Sequence, residues 1–435
     1  MFHNTYDVKA AYSFFRHPEA RPENLQLAHR EVVMEQLHQA GRYLLLEDTS
    51  EMTWPGNEPV PGLGPIGRGT AGLQGFHLHS VLALRWQWEV EASNQWPGRP
   101  AVEVLGLPAQ HYHVRQGRPK GEPANHSKFT KYRARESQWW EQAGEAIGPA
   151  PDDEPVEWTR VCDRGADIYE LLISCGELNH RFVIRAAQDR ALTDEQGRRV
   201  TGKLFALARG QAPLGDFSLK LRARPGQPAR TAGLQISAVE VWLRAPQRPG
   251  KGPGYLPPVR CTVVRVWEAD PPAETDPLEW ILLTDWEVTS MAQALEVALV
   301  YSTRWLIEEF HKALKTGNKA EELQLETAEG LFAAIAIKSV VALRLLDLRE
   351  KVRLAPDAPA EQAGLDELEL AVLRERLNRP LTTIRDVALA IGRLGGHMNR
   401  KGDGLPGWQT LFRGMTELNA LVEGARIAFK LKRFG

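Results

Sequence analysis

The chain has 435 residues, 43% hydrophobic and 25% charged, a globular composition long enough for two or three domains. Its 54 basic and 55 acidic residues leave a net charge of −1, which excludes a uniformly basic nucleic-acid coat but not local positive patches. No apolar run reaches membrane-spanning length, the N-terminus Met1-Phe-His-Asn-Thr-Tyr-Asp7 lacks a secretory pattern, and three cysteines (Cys162, Cys175, Cys261) fit a reducing cytosol, not a disulfide framework.

Residues 1–40 read as short helices, Val8 to Phe15 and Glu23 to Ala40, punctuated by Pro18 and Pro22. Arg42-Tyr-Leu-Leu-Leu-Glu-Asp48 is a short apolar run closed by an acid, which predicts a buried strand with Asp48 at its C-terminal end. The Pro/Gly-rich piece from Trp54 to Gly75 is a loop. Its Gly62-Leu-Gly64-Pro-Ile-Gly67 matches a dinucleotide fingerprint only formally, because no strand leads into it and a strand, not a helix, follows. Phe76 to Leu84 and Ala101 to Val114 predict two more strands. On them His77 and His79 share a face, as do His111 and His113; a metal pair is one use of each, a cross-strand polar face the other. From His111 to Arg135 basic and aromatic residues interleave (Arg115, Arg118, Lys120, Lys128, Lys131, Tyr132, Arg133, Arg135), as in a phosphate-facing or merely solvated loop.

A helix through Trp139 and Trp140 follows, and Glu157 to Asp163 predicts another strand ending in an acid. Arg164 to Leu172 opens a helix with Asp167 serving its start, and His180 to Ala187 is one more strand, carrying Arg185. From Ala187 to Asp285 short alternating segments separated by Pro, Gly and Arg predict an inserted antiparallel β-subdomain. Helical patterning resumes at Met291 and continues to the end, with a long apolar helix from Ala328 to Leu348 and a last one from Trp408 to Leu431, closed by the basic tail Lys430 to Arg433.

Within this region Tyr301 to Lys315 stands apart. On one helix, Tyr301, Arg304, Glu308 and Lys315 fall within an arc of roughly 60°. Leu306, Ile307, Phe310, Ala313 and Leu314 collect opposite. An ordinary amphipathic helix with i,i+4 ion pairs accounts for the spacing. An aromatic hydroxyl, a guanidinium, a carboxylate and an ammonium in one line also suit a metal ligand flanked by phosphate contacts. Asp48 and Asp163, each ending a core strand, can converge at the carboxyl edge of an open α/β sheet. Three carboxylates at one spot repel unless they hold cations, and hard oxygen ligands suit Mg²⁺. Two such ions stabilise both oxygens of a phosphodiester displacement. Alternatively, these acids merely start turns.

The order Tyr301-x2-Arg304-x3-Glu308-x6-Lys315, and the words Arg304 to Gly317 around it, resemble the signature of the DDE transposases of the bacterial IS4 group, in particular those like the Tn5 transposase. Glu47-Asp48-Thr49, Val161-Cys-Asp163-Arg-x-Ala-Asp167, Arg181-Phe-Val-Ile-Arg185, Pro277-Leu-x-Trp280-x-Leu-Leu-Thr and Arg393-Leu-Gly-Gly-x-Met398 resemble further blocks in the same order. The resemblance implies an α/β fold: an RNase H-like core (41–186 and 288–350) after a helical remnant (1–40), interrupted by the antiparallel β insert (187–287) and followed by an α-helical dimerisation domain (351–435). It implies Asp48, Asp163 and Glu308 as the metal-binding catalytic triad for two Mg²⁺ ions, with Mn²⁺ able to substitute. Tyr301, Arg304 and Lys315 would grip phosphates of the transposon end, Lys312 and Arg185 would assist, and Trp280 would stack on a flipped base. The implied activity is cut-and-paste DNA transposition by strand nicking, hairpin formation and strand transfer, performed by a cytoplasmic homodimer on double-stranded DNA of element ends and target, with no membrane partner.

Two departures stand out. Only 47 residues precede Asp48, about half of what the family pattern expects, and Gly165 replaces an acid. The first departure suggests an alternative, a truncated, non-catalytic inhibitor acting by dimerisation with full-length transposase. A stand-alone RNase H-like nuclease is a further one. A di-iron bundle using Glu308-x-x-His311 would need a second such pair, which the sequence lacks.

Overall fold

A computed structural model of the chain describes residues 5–55, 58–67, 73–88, 95–115, 136–152, 155–223, 228–247, 256–273 and 275–431. Arg118, Lys120, Lys128, Lys131, Tyr132, Arg133 and Arg135 of the basic and aromatic stretch, and the tail from Lys432, lie outside the described residues.

Helices α1 (Thr5–Phe15), α2 (Pro22–Leu25) and α3 (Leu27–Leu37) lead into strand β1 (Gly41–Pro55). β1 pairs antiparallel with β3 (Leu73–Trp86), which also takes the two-residue β2 (Gly64–Pro65) and β4 (Val102–His113). After α4 (Gln138–Ile147), β5 (Val156–Cys162) runs parallel to β1 on its other side; after α5 (Tyr169–Glu177), β6 (Arg181–Arg185) runs parallel to β5. The central order is therefore β4-β3-β1-β5-β6, three antiparallel strands followed by two parallel ones.

The sheet does not stop at β6. β7 (Ala191–Thr193), β8 (Arg199–Lys203), helix α6 (Leu204–Arg209), β9 (Gly215–Leu221), β10 (Arg230–Leu243), β11 (Val259–Glu268) and β12 (Glu279–Thr284) make up the predicted insert. It is antiparallel as expected, but it continues the central sheet instead of standing apart. β12 pairs with β6 through Leu282↔Arg185, Leu283↔Ile184 and Thr284↔Val183, giving one 12-stranded sheet among the described residues. Leaving β6 as an open edge would expose unpaired N–H and C=O groups beside buried Val183 and Ile184; β12 satisfies them.

Alternation sorts the strand residues between two faces. Leu44 and Leu46 of β1, with Val161 of β5, join the core formed with α7 (Met291–Thr303), α8 (Trp305–Lys312) and α9 (Ala328–Leu354). Tyr43 and Leu45, with Trp158, face α3 and α4 on the reverse side. Cys162 and Ile184 pack on that reverse side against α5 and α6.

The C-terminal part is helical: α9, α10 (Glu367–Leu377), α11 (Ile384–Leu394) and α12 (Trp408–Leu431). Asp366 with Glu369, and Thr383 with Asp386, form capping boxes that fix the starts of α10 and α11. The crossing of α11 and α12 is closed by glycines. A Cβ at Gly414 would lie 1.8 Å from the Ile391 carbonyl oxygen, and one at Gly395 would lie 1.9 Å from that of Thr410.

Gly414→Ala is therefore expected to lower the unfolding free energy by roughly 1–3 kcal/mol, the usual penalty for overpacking. Gly424→Ala, on the same helix but meeting no atom within 4 Å, is expected to be neutral or stabilising by up to about 1 kcal/mol. Urea denaturation of the two variants checks the contrast.

Candidate active site

The parallel pairing of β1 and β5 ends at Glu47↔Cys162, so Asp48 and Asp163 are the next residues on neighbouring strands. Asp48 is not the end of its strand, as the sequence predicts, because β1 runs on to Pro55 against β3, with Asp48 opposite Ser80. It is the end of the parallel pairing, and there the two aspartates meet. By alternation Asp48 follows Leu44 and Leu46 onto the face covered by α8, while Glu47 turns to the reverse.

Glu47 is fully buried and paired with Arg160, Nε to Oε1 at 2.5 Å and a second guanidinium nitrogen to Oε2 at 2.7 Å, with His79 Nε2 at 3.6 Å. Burial opposes its ionisation, but the Arg160 charge wins and holds its pKa down at about 2. Glu47 and Asp48, neighbours in sequence, thus serve opposite faces, and only Asp48 is available to the site.

Asp48 accepts from the Thr49 N–H at 2.8 Å and lies 3.9 Å from His311 Nδ1. Burial, then the Asp163 charge, push its carboxyl up to about 6; Arg304 draws it down and Glu308 adds to the rise. The three acids therefore lie within electrostatic reach of one another. Asp163 accepts from the Gly165 N–H at 2.7 Å and caps the single 3₁₀ turn Arg164–Ala166. The helix expected to open at Arg164 begins instead at Tyr169. Asp167 does not serve its start: its carboxylate accepts from the N–H groups of Ala187 and Gln188 and from Arg190, pinning the chain after β6.

The single helix expected over 301–315 is interrupted. Ser302 and Thr303 hydroxyls bond back to the carbonyls of Leu299 and Val300, at 2.6 and 2.7 Å, competing with the helical ladder. At the break the Arg304 N–H reaches back only three residues, to Tyr301 O at 3.1 Å, and α8 then ends in a π turn, Ala313–Gly317. The predicted apolar side is buried in full: Leu306, Ile307, Phe310, Ala313 and Leu314. The polar side divides. Tyr301 is 5% exposed, and burial raises its hydroxyl against the pull of Arg304 and Arg185. Glu308 is half exposed and ion-paired with Arg304.

Tyr301 meets Trp280 edge to face at 5.1 Å. Arg185 donates to the Glu279 carbonyl at 3.0 Å, beside a recess of about 190 Å³ lined by Arg164, Arg185, Phe205, Arg209, Glu279 and Ile281. Lys315 is tied to β1, donating to the Glu51 carbonyl at 2.7 Å with Glu321 at 3.2 Å. Lys312 is exposed beside Glu309, which also faces Arg349 at 3.6 Å. The arrangement is an acidic floor, Asp48 and Asp163, with a rim of Arg164, Arg185 and Arg304.

The donor set is oxygen-only, and two adjacent carboxylates leave Asp48 short of positive charge, which suits a hard cation such as Mg²⁺. The fit is partial. Among the described residues, no three His, Cys, Asp or Glu side chains stand close enough to hold a metal, since Glu308 is turned to Arg304. The four strand histidines make no such group either. His77 lies opposite His113 and His79 opposite His111, and the rings pack on Trp139 and Trp140.

Residues 321–435 match a family model described as the Transposase Tn5 dimerisation domain. That segment starts at the partner of Lys315 and carries α9 to α12. It supports a transposase of the Tn5 kind and a homodimeric assembly. No helix among the described residues is long and apolar enough to cross a membrane. Sequence reasoning missed the Glu47–Arg160 pair, the guanidiniums of Arg164 and Arg209, and the contact of His311 with Asp48. Only the last left a signal, the three-residue step from Glu308 to His311, which puts both on one flank of a helix.

Burial lowers His180 to about 4, and burial together with neighbouring histidines lowers His113 to about 3. A folded pKa below the unfolded one gives stability that is present above about 6.5 and lost as pH falls toward those values. The raised carboxyls of Asp48, Glu141, Asp285 and Asp347 oppose this, against six lowered histidines, His29, His77, His111, His113, His180 and His311. Unfolding free energy is expected to fall between pH 6.5 and 4.5, by about 1.4 kcal/mol per pH unit for each proton taken up only on unfolding and less for partly exposed His113. Urea midpoints across that range measure it.

Proposed function

We propose that this chain is a DDE transposase of the Tn5 kind that cuts and rejoins double-stranded DNA. The observation that carries it is the meeting of Asp48 and Asp163 at the end of one parallel strand pair, with Glu308 on the helix covering that face. Support comes also from the strand order β4-β3-β1-β5-β6, which is that of an RNase H-like core, and from the matched C-terminal segment.

In this proposal Asp48, Asp163 and Glu308 hold two divalent cations, Mg²⁺ or Mn²⁺. Bound there, they would supply the charge that stabilises the entering and leaving oxygens of a phosphodiester displacement. The chain's own residues do the rest. Arg304 exchanges Glu308 for a phosphate of the transposon end, a partner its planar donors suit equally well. Tyr301 and Arg185 stand behind it. Lys315 and Lys312 extend the phosphate track, and Trp280, held by Tyr301, offers a flat apolar face to a base turned out as the end forms a hairpin. Hydrolytic nicking, hairpin formation, hairpin opening and strand transfer into target DNA follow in that order, in a cytoplasmic homodimer.

A second proposal keeps the dimer and drops the chemistry: a non-catalytic inhibitor pairing with an active transposase. What favours it is the Arg304–Glu308 pair, which leaves the three acids apart.

With Mg²⁺ or Mn²⁺, the chain is expected to cleave duplex DNA bearing the ends of its own element and to yield hairpins on denaturing gels. Asp163→Ala should abolish both products; cleavage surviving that change sinks the triad, and a wild-type chain without cleavage that blocks an active partner supports the inhibitor. Glu308→Gln should weaken Mn²⁺ binding, whereas Glu309→Gln should leave it intact and cost at most about 1 kcal/mol of stability through its partly exposed pair with Arg349. Calorimetric Mn²⁺ titration and urea denaturation separate the two effects.

A further inference from the structure

Behind Asp48, on the side away from Asp163, a row of polar side chains runs through the core. Gln26 Nε2 donates to the Ala336 carbonyl on α9 and to Gln110 Oε1, both at 3.0 Å. The Tyr112 hydroxyl also donates to Gln110 Oε1, at 3.0 Å. Gln110 Nε2 donates to Ser80 Oγ at 3.0 Å, and Ser80 Oγ lies 3.4 Å from His311 Nε2. His311 Nδ1 lies 3.9 Å from Asp48 Oδ2. Gln110 faces Ser80, and Ser80 faces Asp48, so the row crosses three strands at one level.

The direction of the row is fixed from its far end. A main-chain carbonyl only accepts, so the Ala336 oxygen requires the amide nitrogen of Gln26 there, and that nitrogen's second proton goes to Gln110 Oε1. Gln110 must then present its own nitrogen to Ser80. Ser80 Oγ accepts from Gln110 through one lone pair, and in the proposed arrangement its hydroxyl proton goes to His311 Nε2. An imidazole ring accepting at Nε2 carries its proton at Nδ1, which faces Asp48.

We propose that His311 is a positioning residue for Asp48. Its Nδ1–H, oriented by Ser80, Gln110 and Gln26 from a carbonyl of the dimerisation segment, holds Asp48 Oδ2 back so that the other oxygen meets the cation. The role rests on the metal assignment of the preceding section. At 3.9 Å the pair is longer than a hydrogen bond, and rotation of the carboxylate closes it. Partners of this kind behind a ligating carboxylate set metal affinity by roughly 10–100-fold.

Two measurements test it. In selectively ¹⁵N-labelled chain, the His311 ring, assigned by its loss in His311→Asn, should show a protonated Nδ1 and a bare Nε2 at neutral pH without metal. A protonated Nε2 overturns the proposal whatever the activity of the chain. In Mn²⁺ titration, His311→Gln, which keeps an atom facing Ser80 but none at the Nδ1 position, should raise the dissociation constant roughly 10–100-fold. His311→Asn, which can place an amide N–H at the Nδ1 position, should stay within about threefold of wild type, with thermal melting confirming that both fold. Equal affinity of His311→Gln and wild type overturns the positioning role alone. A wild-type chain that binds no Mn²⁺ overturns the metal assignment and this role with it.

Discussion

A guanidinium and a carboxylate, both fully buried, tie the two strands on which the site depends. Arg160 on β5 and Glu47 on β1 form a two-point contact, and the second Arg160 nitrogen also reaches the Trp140 carbonyl on α4. Removing one partner of such a pair leaves an uncompensated charge in the core, at a cost of about 3–5 kcal/mol. The pair does more than add stability. A slip of one residue between β1 and β5 would pull the two groups apart and turn every side chain to the wrong face. Asp48 stands one residue after Glu47, and Asp163 three after Arg160. The register that satisfies the buried pair on the reverse face is the one that sets the two aspartates side by side on the other.

The front face has the opposite electrostatics. Glu47 is compensated and held down near 2, whereas Asp48 is undercompensated and pushed up to about 6. Two adjacent residues of one strand thus differ widely because one faces a cation and the other faces another acid. A site left short of positive charge is poised to take some up. In the proposed function the arginines around it would do this for a phosphate and the acids for a metal. In that reading the Arg304–Glu308 pair would join the two roles in one contact that either ligand could open.

The helix carrying Glu308 is also fastened to the C-terminal segment. Glu309 faces Arg349 on α9, and Arg349 lies over the Trp408 ring at 4.1 Å at the start of α12. The π turn that ends α8 packs against the same residue, since a Cβ at Gly317 would meet Trp408 Cβ at 3.1 Å. The row from Gln26 to His311 makes a second link, through Ala336. The C-terminal helices and both walls of the site thus share packed groups.

The sequence by itself determined the local elements and the chemistry they carry. Apolar runs closed by acids marked β1 and β5, helical spacing marked α8 with its buried and polar sides, and Trp408 to Leu431 was legible end to end, because side-chain period is a local property of the chain. It also singled out the candidate residues of the site, through the words around Tyr301, Asp48 and Asp163. What it could not determine was pairing. That β12 joins β6 and makes the insert part of one sheet depends on which edge needs covering. That Glu47 pairs with Arg160 while Asp48 meets Asp163 depends on which face each turns to, and the interruption at Arg304 depends on two hydroxyls competing with the backbone. His311 lies 263 residues from Asp48, and only tertiary packing brings the imidazole to the carboxylate.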